Sequence, residues 1–143
     1  MKLKIKRFDK SLPVPVHKTV GAVAVDLCAR TDFTIESHQI GYIPMNVAIK
    51  IPDGYFILMA PRSSTHKIGL IGLNGVGIFD RDFCGDNDEY HFISYNFTDH
   101  PVNVEKGTRL CQLLLIKCEN FDFDEVDKMD SISRGGFGTT GVK

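Results

Sequence analysis

Val47-Ala48-Ile49-Lys50-Ile51-Pro52-Asp53-Gly54-Tyr55-Phe56-Ile57-Leu58-Met59-Ala60 sets two short runs of β-branched, aliphatic and aromatic residues around Pro-Asp-Gly. Each run is too short for a three-turn helix, and the punctuation between them is turn chemistry. The rest of the chain reads the same way. Leu3–Arg7, Val25–Arg30, Phe33–Glu36, His91–Phe97 and Leu110–Cys118 are further strand candidates, each bounded by Gly, Pro, Asn or Asp. No apolar stripe at helical spacing runs for three turns, and the best helical candidate is a single turn near Ser63–Lys67. There is no internal repeat, and the one biased tract is a glycine-rich C-terminal segment. The expectation is an all-β barrel or sandwich.

At 143 residues the chain fits one domain able to bury a core without staples. It is 43% hydrophobic and 24% charged with a formal net charge of −1. That balance lacks the basic footprint of a nucleic-acid binder, although a few arginines suffice for a small anion. No apolar run is long enough to span a bilayer, and charged sequence follows Met1 directly, so neither a membrane span nor a signal peptide is expected and the predicted location is cytoplasmic. Cys28, Cys84, Cys111 and Cys118 form no CxxC pair and are read as free thiols, with Cys111 and Cys118 in an apolar run. The five histidines form no HxH or HExxH pattern, which argues against a structural zinc.

Three internal segments carry chemistry. Pro61-Arg62-Ser63-Ser64-Thr65-His66-Lys67 leaves an apolar strand with a guanidinium, three hydroxyls and an ammonium. It is either a solvated loop or a phosphate grip, since Arg offers a planar fork to phosphate oxygens. Asn74-Gly75-Val76-Gly77-Ile78-Phe79-Asp80 combines the small residues of a tight turn with a carboxylate directly after an apolar pair. Small residues let backbone approach a flat ligand closely. Asp80 either caps a turn or orients a water. Gln112 interrupts the run Leu110-Cys111 to Leu113-Leu114, and a buried amide there needs a protein, water or ligand partner.

The chain closes on Arg134-Gly135-Gly136-Phe137-Gly138-Thr139-Thr140-Gly141. Four glycines and no hydrophobic pattern make a segment that is costly to order alone. It has neither the Lys of a P-loop nor the flanking strand and helix of a dinucleotide fingerprint. Its N–H groups and hydroxyls suit phosphates nonetheless, and Phe137 offers a stacking surface for a base.

In this order and spacing the segments resemble the trimeric deoxyuridine triphosphatases, or dUTPases. Ala22–Ala29 is similar to the first family motif, AGYDLxA, and Pro61–Ser64 to the second, PRSG. Gly77–Asp86 resembles the third, GxIDxDYxGE, and Lys106–Leu113 the fourth, GDRIAQL. Arg134–Gly141 looks like the fifth, RGxGGFGSTG. The resemblance implies a dUTPase-like β-barrel (jelly-roll-like, β-clip) over residues 1–131 and a flexible flap over residues 132–143. It implies a homotrimer with shared sites that hydrolyses dUTP to dUMP and pyrophosphate. The turn around Asn74, Gly77 and Ile78, read as a β-hairpin over Asn74–Asp80, would recognise uracil, and Phe83 would pack on deoxyribose. Asp80 would contact the 3′-hydroxyl and orient the attacking water. Arg62, Ser63 and Ser64 would face phosphates, with Ser63 near the α–β bridging oxygen, and Gln112 would help position water and phosphate. Asp26 would hold Mg²⁺ through water. In the flap, Arg134, Gly136, Gly138 and Thr139 would meet phosphates while Phe137 stacks on the base.

The chain departs from the family pattern at several positions. Val25 replaces an aromatic, Ala24 and Ser64 replace glycines, and Phe83 replaces Tyr. Arg134 lies three residues before Phe137 where the family's arginine lies five before, and Ile132 holds that place. The resemblance leaves two alternatives. A dCTP deaminase of related fold would need a carboxylate base near the pyrimidine, for which Glu89 is the nearby candidate. A non-catalytic nucleotide-binding regulator would not need Asp80 or the Phe-glycine segment.

Overall fold

The Pro52-Asp53-Gly54 turn joins two strands that do not pair with each other. In the computed structural model, which describes residues 1–137 and 139, β5 (Val47–Lys50) pairs with β1 (Lys4–Arg7), setting Ile49 opposite Ile5. The second strand, β6 (Tyr55–Pro61), instead enters a four-stranded sheet. Gly54 takes φ 75°, a left-handed conformation that suits glycine, and its carbonyl accepts from Cys118 N at 2.9 Å. The turn thus carries the chain from one sheet to another.

The four-stranded sheet has the order β2-β11-β6-β8, with β2 Val25–Cys28, β8 Gly77–Phe79 and β11 Arg109–Lys117. A three-stranded sheet runs β4-β9-β7, with β4 Ile40–Pro44, β7 Leu70–Gly72 and β9 His91–Asn96. β3 (Phe33–Ile35) pairs with β10 (Val102–Val104). All pairings among the described residues are antiparallel. Together the sheets wrap one core in which Leu27, Ile43, Met45, Val47, Ile57, Leu70 and Leu110 are almost wholly buried. Each such side chain contributes about 1.5–3 kcal/mol relative to exposure. The fold is the all-β, jelly-roll-like barrel expected.

Every strand read from the sequence is present, with ends moved by one or two residues. The helical turn is a 3-10 turn at Thr65–Ile68, stopped by Gly69 at φ 85°. Strands β4, β7, β8 and β10 were not among the expected ones. Three of them are only three residues long, too short to show alternation, and β4 is Ile-Gly-Tyr-Ile-Pro, whose Gly and Pro read as breakers. Gly41 in β4 is required by packing, because a Cβ there would stand 2.5 Å from Ile35 Cδ1.

All four cysteines are free. Cys111 is fully buried with its sulfur 3.3 Å from Met59 Sδ, and that burial pushes its thiol pKa far up. Just before β11, Lys106 Nζ meets Asp9 Oδ2 at 2.6 Å while Ser11 N–H donates to Asp9 Oδ1 at 2.8 Å. The bond from Lys106, then that from Ser11, hold the Asp9 carboxyl well below the usual carboxylate range. This contact ties the N-terminal segment to the turn that precedes β11. The last strand ends at Lys117, and the described residues beyond it form no strand or helix.

Candidate active site

Three of the sequence segments converge because of strand register. In the β2-β11-β6 ladder Gln112 stands opposite Asp26 on one side and Ala60 on the other. Opposed residues share a face, so Asp26 and Gln112 point the same way beside the exit of β6. Gln112 Nε2 donates to Pro61 O at 3.2 Å, giving the odd amide in the apolar run a backbone partner. The loop after Pro61 is pinned to β11 at two points: Arg62 N donates to Leu110 O at 3.1 Å, and the buried Thr65 hydroxyl donates to the same carbonyl at 2.6 Å. Ser63 and Ser64 are therefore presented between fixed points, with Ser63 exposed.

Asp26 is the centre of this cluster. Its Oδ1 lies 3.1 Å from Arg62 Nε and its Oδ2 lies 2.9 Å from Arg109 Nη1. Arg62 Nη1 also reaches Arg109 O at 3.4 Å. The sequence reading assigned Arg109 no role, and the reason is a β-bulge. Between Arg109 and Cys111 the β2–β11 register shifts, pairing Arg109 with Cys28 and Cys111 with Leu27. Without the shift Arg109 would face Ala29 on the buried side; with it, Arg109 stands on the Asp26 face. Two guanidinium groups around one carboxylate leave a net positive corner. Partly exposed ion pairs of this kind are worth about 0–1 kcal/mol each, so phosphate oxygens can replace Asp26 at low cost.

The other segment forms a separate cleft of about 350 Å³ lined by Asn74, Gly77, Ile78, Phe79, Phe83 and Phe92, among others. Gly75 has φ 69°, and a Cβ on Gly77 would sit 3.3 Å from Phe79 Cε2, so glycine keeps this rim narrow. Below it Phe79 stacks on Tyr90 with ring centres 3.8 Å apart, and Phe83 lies 6.1 Å from both. Tyr90 is buried and its hydroxyl is pushed up by desolvation. The strands flanking the turn do not form a hairpin with each other. β7 pairs with β9 whereas β8 pairs with β6, so the turn bridges two sheets. Asp80 follows β8 and is exposed, while its neighbour Arg81 pairs with Asp53 at 2.8 Å.

Glu89, the candidate deaminase base, borders this cleft but is buried and held by other groups. Its Oε1 accepts from Arg30 Nε and from Asn46 N–H, both at 2.8 Å. A carboxylate held by a guanidinium and a backbone amide is a structural anchor.

The two halves do not meet within one chain. Phe79 stands opposite Ile57 on β6, whereas Gln112 stands opposite Ala60. Asp80 is one residue further away still, which places it about 13 Å along the ladder and two strands of about 4.8 Å each across from Gln112. In the C-terminal segment Phe137 and Arg134 are exposed, and Gly136 N–H donates to Thr139 Oγ1 at 2.8 Å in a local turn. Gly138, Thr140 and Gly141 lie outside the described residues.

The dUTPase family model matches residues 10–141, spanning both halves and the C-terminal segment. The chain belongs to the dUTPase family. Its relatives include an SPbeta prophage-derived deoxyuridine 5'-triphosphate nucleotidohydrolase of Bacillus subtilis, 36% identical over the whole of both chains. A deoxyuridine 5'-triphosphate nucleotidohydrolase of Finegoldia magna is 37% identical, covering 97% of this chain and 99% of that one. Among solved structures, the Staphylococcus bacteriophage 80alpha dUTPase with dUPNHPP has a TM-score of 0.85 at 21% identity, with 99% of each chain covered. A mutant dUTPase of phage phi11, described with a structural Mg(II) ion, has a TM-score of 0.81 at 16% identity over 92% of this chain and all of that one. At these identities the two phage structures speak for the fold, and membership rests on the family match and the bacterial relatives.

Proposed function

We propose that this chain hydrolyses dUTP to dUMP and pyrophosphate at sites shared between subunits of a homotrimer, with Mg²⁺ accompanying the nucleotide. The observation that carries the reading is the separation of the two halves. A phosphate-gripping corner and a narrow aromatic cleft with an adjacent carboxylate form one site only when two copies of the chain meet. The C-terminal segment of a further copy then closes over the nucleotide.

Uracil enters the cleft at Asn74–Ile78, where backbone groups read its edge, and a methyl or an exchanged donor and acceptor is rejected by close packing or unpaired polar groups. Phe83 packs on the deoxyribose. Asp80 contacts the 3′-hydroxyl and takes a proton from the water that attacks the α-phosphorus. The water oxygen bonds to that phosphorus as the bond to the α–β bridging oxygen breaks, and pyrophosphate leaves. Arg62 and Ser63 stabilise charge on the leaving oxygens, with Ser64 beside them, and Gln112 orients water and phosphate.

Among the described residues no group of three or more His, Cys, Asp and Glu side chains is placed to hold a metal. Asp26 is one carboxylate already shared by two arginines. Asp26 would hold a hydrated Mg²⁺ only through water, since Mg²⁺ retains water and prefers oxygen ligands. When bound, the ion neutralises triphosphate charge. Arg134, Gly136, Gly138 and Thr139 contact phosphates and Phe137 stacks on uracil once the tail closes. In a cytoplasmic setting the reaction limits uracil incorporation into DNA and supplies dUMP for thymidylate synthesis.

A malachite-green assay coupled to pyrophosphatase, run with each dNTP and UTP with and without Mg²⁺, tests the reading. Phosphate should be released from dUTP and depend on Mg²⁺. Ammonia from dCTP would instead identify a deaminase, and tight binding of dUTP without turnover would identify a regulator. For the shared site, chains with Asp80→Asn mixed with chains ending at Ser131 should recover activity that neither has alone. No recovery in verified mixed trimers would make each site self-contained.

Arg109 provides a further check. Arg109→Met removes the contact that holds Asp26 beside Arg62 and should raise KM for dUTP by about 2–5-fold, the range for losing a partly exposed ion pair. Arg109→Lys should recover part of that loss, and the kcat of both variants should stay close to that of the parent. Steady-state kinetics of the two variants, with melting curves to confirm the fold, decides it.

A further inference from the structure

The corner around Asp26 holds a cation to which no role has been assigned. Asp26 and Cys28 lie two apart on one face of β2, and the bulge sets Arg109 opposite Cys28. Against that face lies a cavity of about 100 Å³, lined by Pro13, Val14, Lys18, Asp26, Cys28 and Arg109, among others. Sites that enclose a whole small ligand run to roughly 300–1,000 Å³, so this one suits a single group of a ligand held elsewhere. Arg62, Arg109 and Lys18 thus stand around the one carboxylate of Asp26. Among the described residues the Lys18 ammonium has no carboxylate partner of its own. Burial pushes the Cys28 thiol pKa up, which keeps it neutral and adds no negative charge to the cavity.

The segment that carries Lys18 is tied to the turn that leads into Arg109. Lys106 Nζ pairs with Asp9 and also donates to Ser11 Oγ at 3.1 Å. Arg7 Nη1 donates to Leu12 O, and Leu12 packs over Gly107, where a Cβ would stand 3.8 Å from Leu12 Cδ2. Pro13 and Pro15 then restrict the backbone at alternate positions. Ala22 N–H donates to Thr19 O at 3.1 Å and turns the chain back toward β2. Lys18, itself exposed, is held at the head of that turn beside the corner.

We propose that Lys18 binds the terminal phosphate of the nucleotide, the end that leaves in pyrophosphate. The inference rests on the hydrolysis of dUTP proposed above. With the base in the aromatic cleft and the inner phosphates at Arg62 and Ser63, the phosphate furthest from the base reaches the cavity on the Arg109 side. A cation fixed to the barrel loses less freedom on binding than Arg134, which must be ordered together with its glycines. The proline and valine walls keep water away from one side of the cavity, where an ion pair is stronger.

Lys18→Gln and Lys18→Arg are compared with the parent by steady-state hydrolysis of dUTP, inhibition by dUMP and calorimetric titration of pyrophosphate. Lys18→Gln should raise KM for dUTP and Kd for pyrophosphate by about 3–5-fold, toward the upper end for a partly exposed ion pair. Its kcat should match that of the parent, and so should its Ki for dUMP, which lacks the terminal phosphate. Lys18→Arg keeps the charge and should recover most of the loss. A Lys18→Gln protein that binds pyrophosphate as tightly as the parent, or that loses dUMP by the same factor, would overturn the assignment. The titration needs no turnover. A parent that binds pyrophosphate through Lys18 without hydrolysing dUTP would overturn the proposed function and leave this phosphate site standing.

Discussion

Replacing Asp80 with asparagine is expected to lower kcat for dUTP by about 10²–10⁴-fold, the range for losing a positioned general base. The carboxylate is exposed directly after β8, one residue beyond Phe79 of the aromatic cleft, and the amide keeps its shape and its capacity to meet a hydroxyl. Nucleotide affinity should therefore change little. Single-turnover kinetics together with direct titration of dUTP separates the two quantities. Turnover like that of the parent would remove Asp80 from the chemistry and return it to the role of a turn residue.

Ending the chain at Ser131 is the second large effect. Stacking of a base on an aromatic ring is worth about 1–3 kcal/mol, so Phe137→Ala should reduce kcat/KM by about 5–150-fold. Truncation also removes Arg134 and the glycine N–H groups, and a hydrogen bond to a charged group adds about 1.5–3 kcal/mol. The loss should exceed about 100-fold, with kcat falling along with affinity because closure both completes the site and excludes water. Circular dichroism and scattering should be unchanged, since Phe137 and Arg134 are exposed and the last strand ends at Lys117. Full activity in the shortened chain would refute the flap.

The five motifs were legible in the sequence because their chemistry is local. An Arg-Ser-Ser turn, an Asp after an apolar pair and a Phe among glycines can each be read within ten residues. The longer strands were legible for the same reason, since alternation and flanking turn residues suffice to mark them. Gly41 shows where local reading fails: its Gly signals a break, yet it sits inside β4 because Ile35 from a neighbouring segment leaves no room for a Cβ.

What the tertiary structure alone decided is register. Asp26, Gln112 and Arg62 come together because β2 and β6 flank β11, and nothing in any one segment specifies those neighbours. The bulge at Arg109–Cys111 turns Arg109 from the core side to Asp26, and a one-residue shift has no signature in a run of apolar residues. The same long-range pairing holds Asp80 away from Gln112, so within one chain the fold sets the motifs in two separate halves. Local chemistry depends on neighbours in sequence. The meeting of its parts depends on strand partners far apart in the chain, such as Val25 with Leu113 and Asp26 with Gln112, and packing of the whole core selects those pairs.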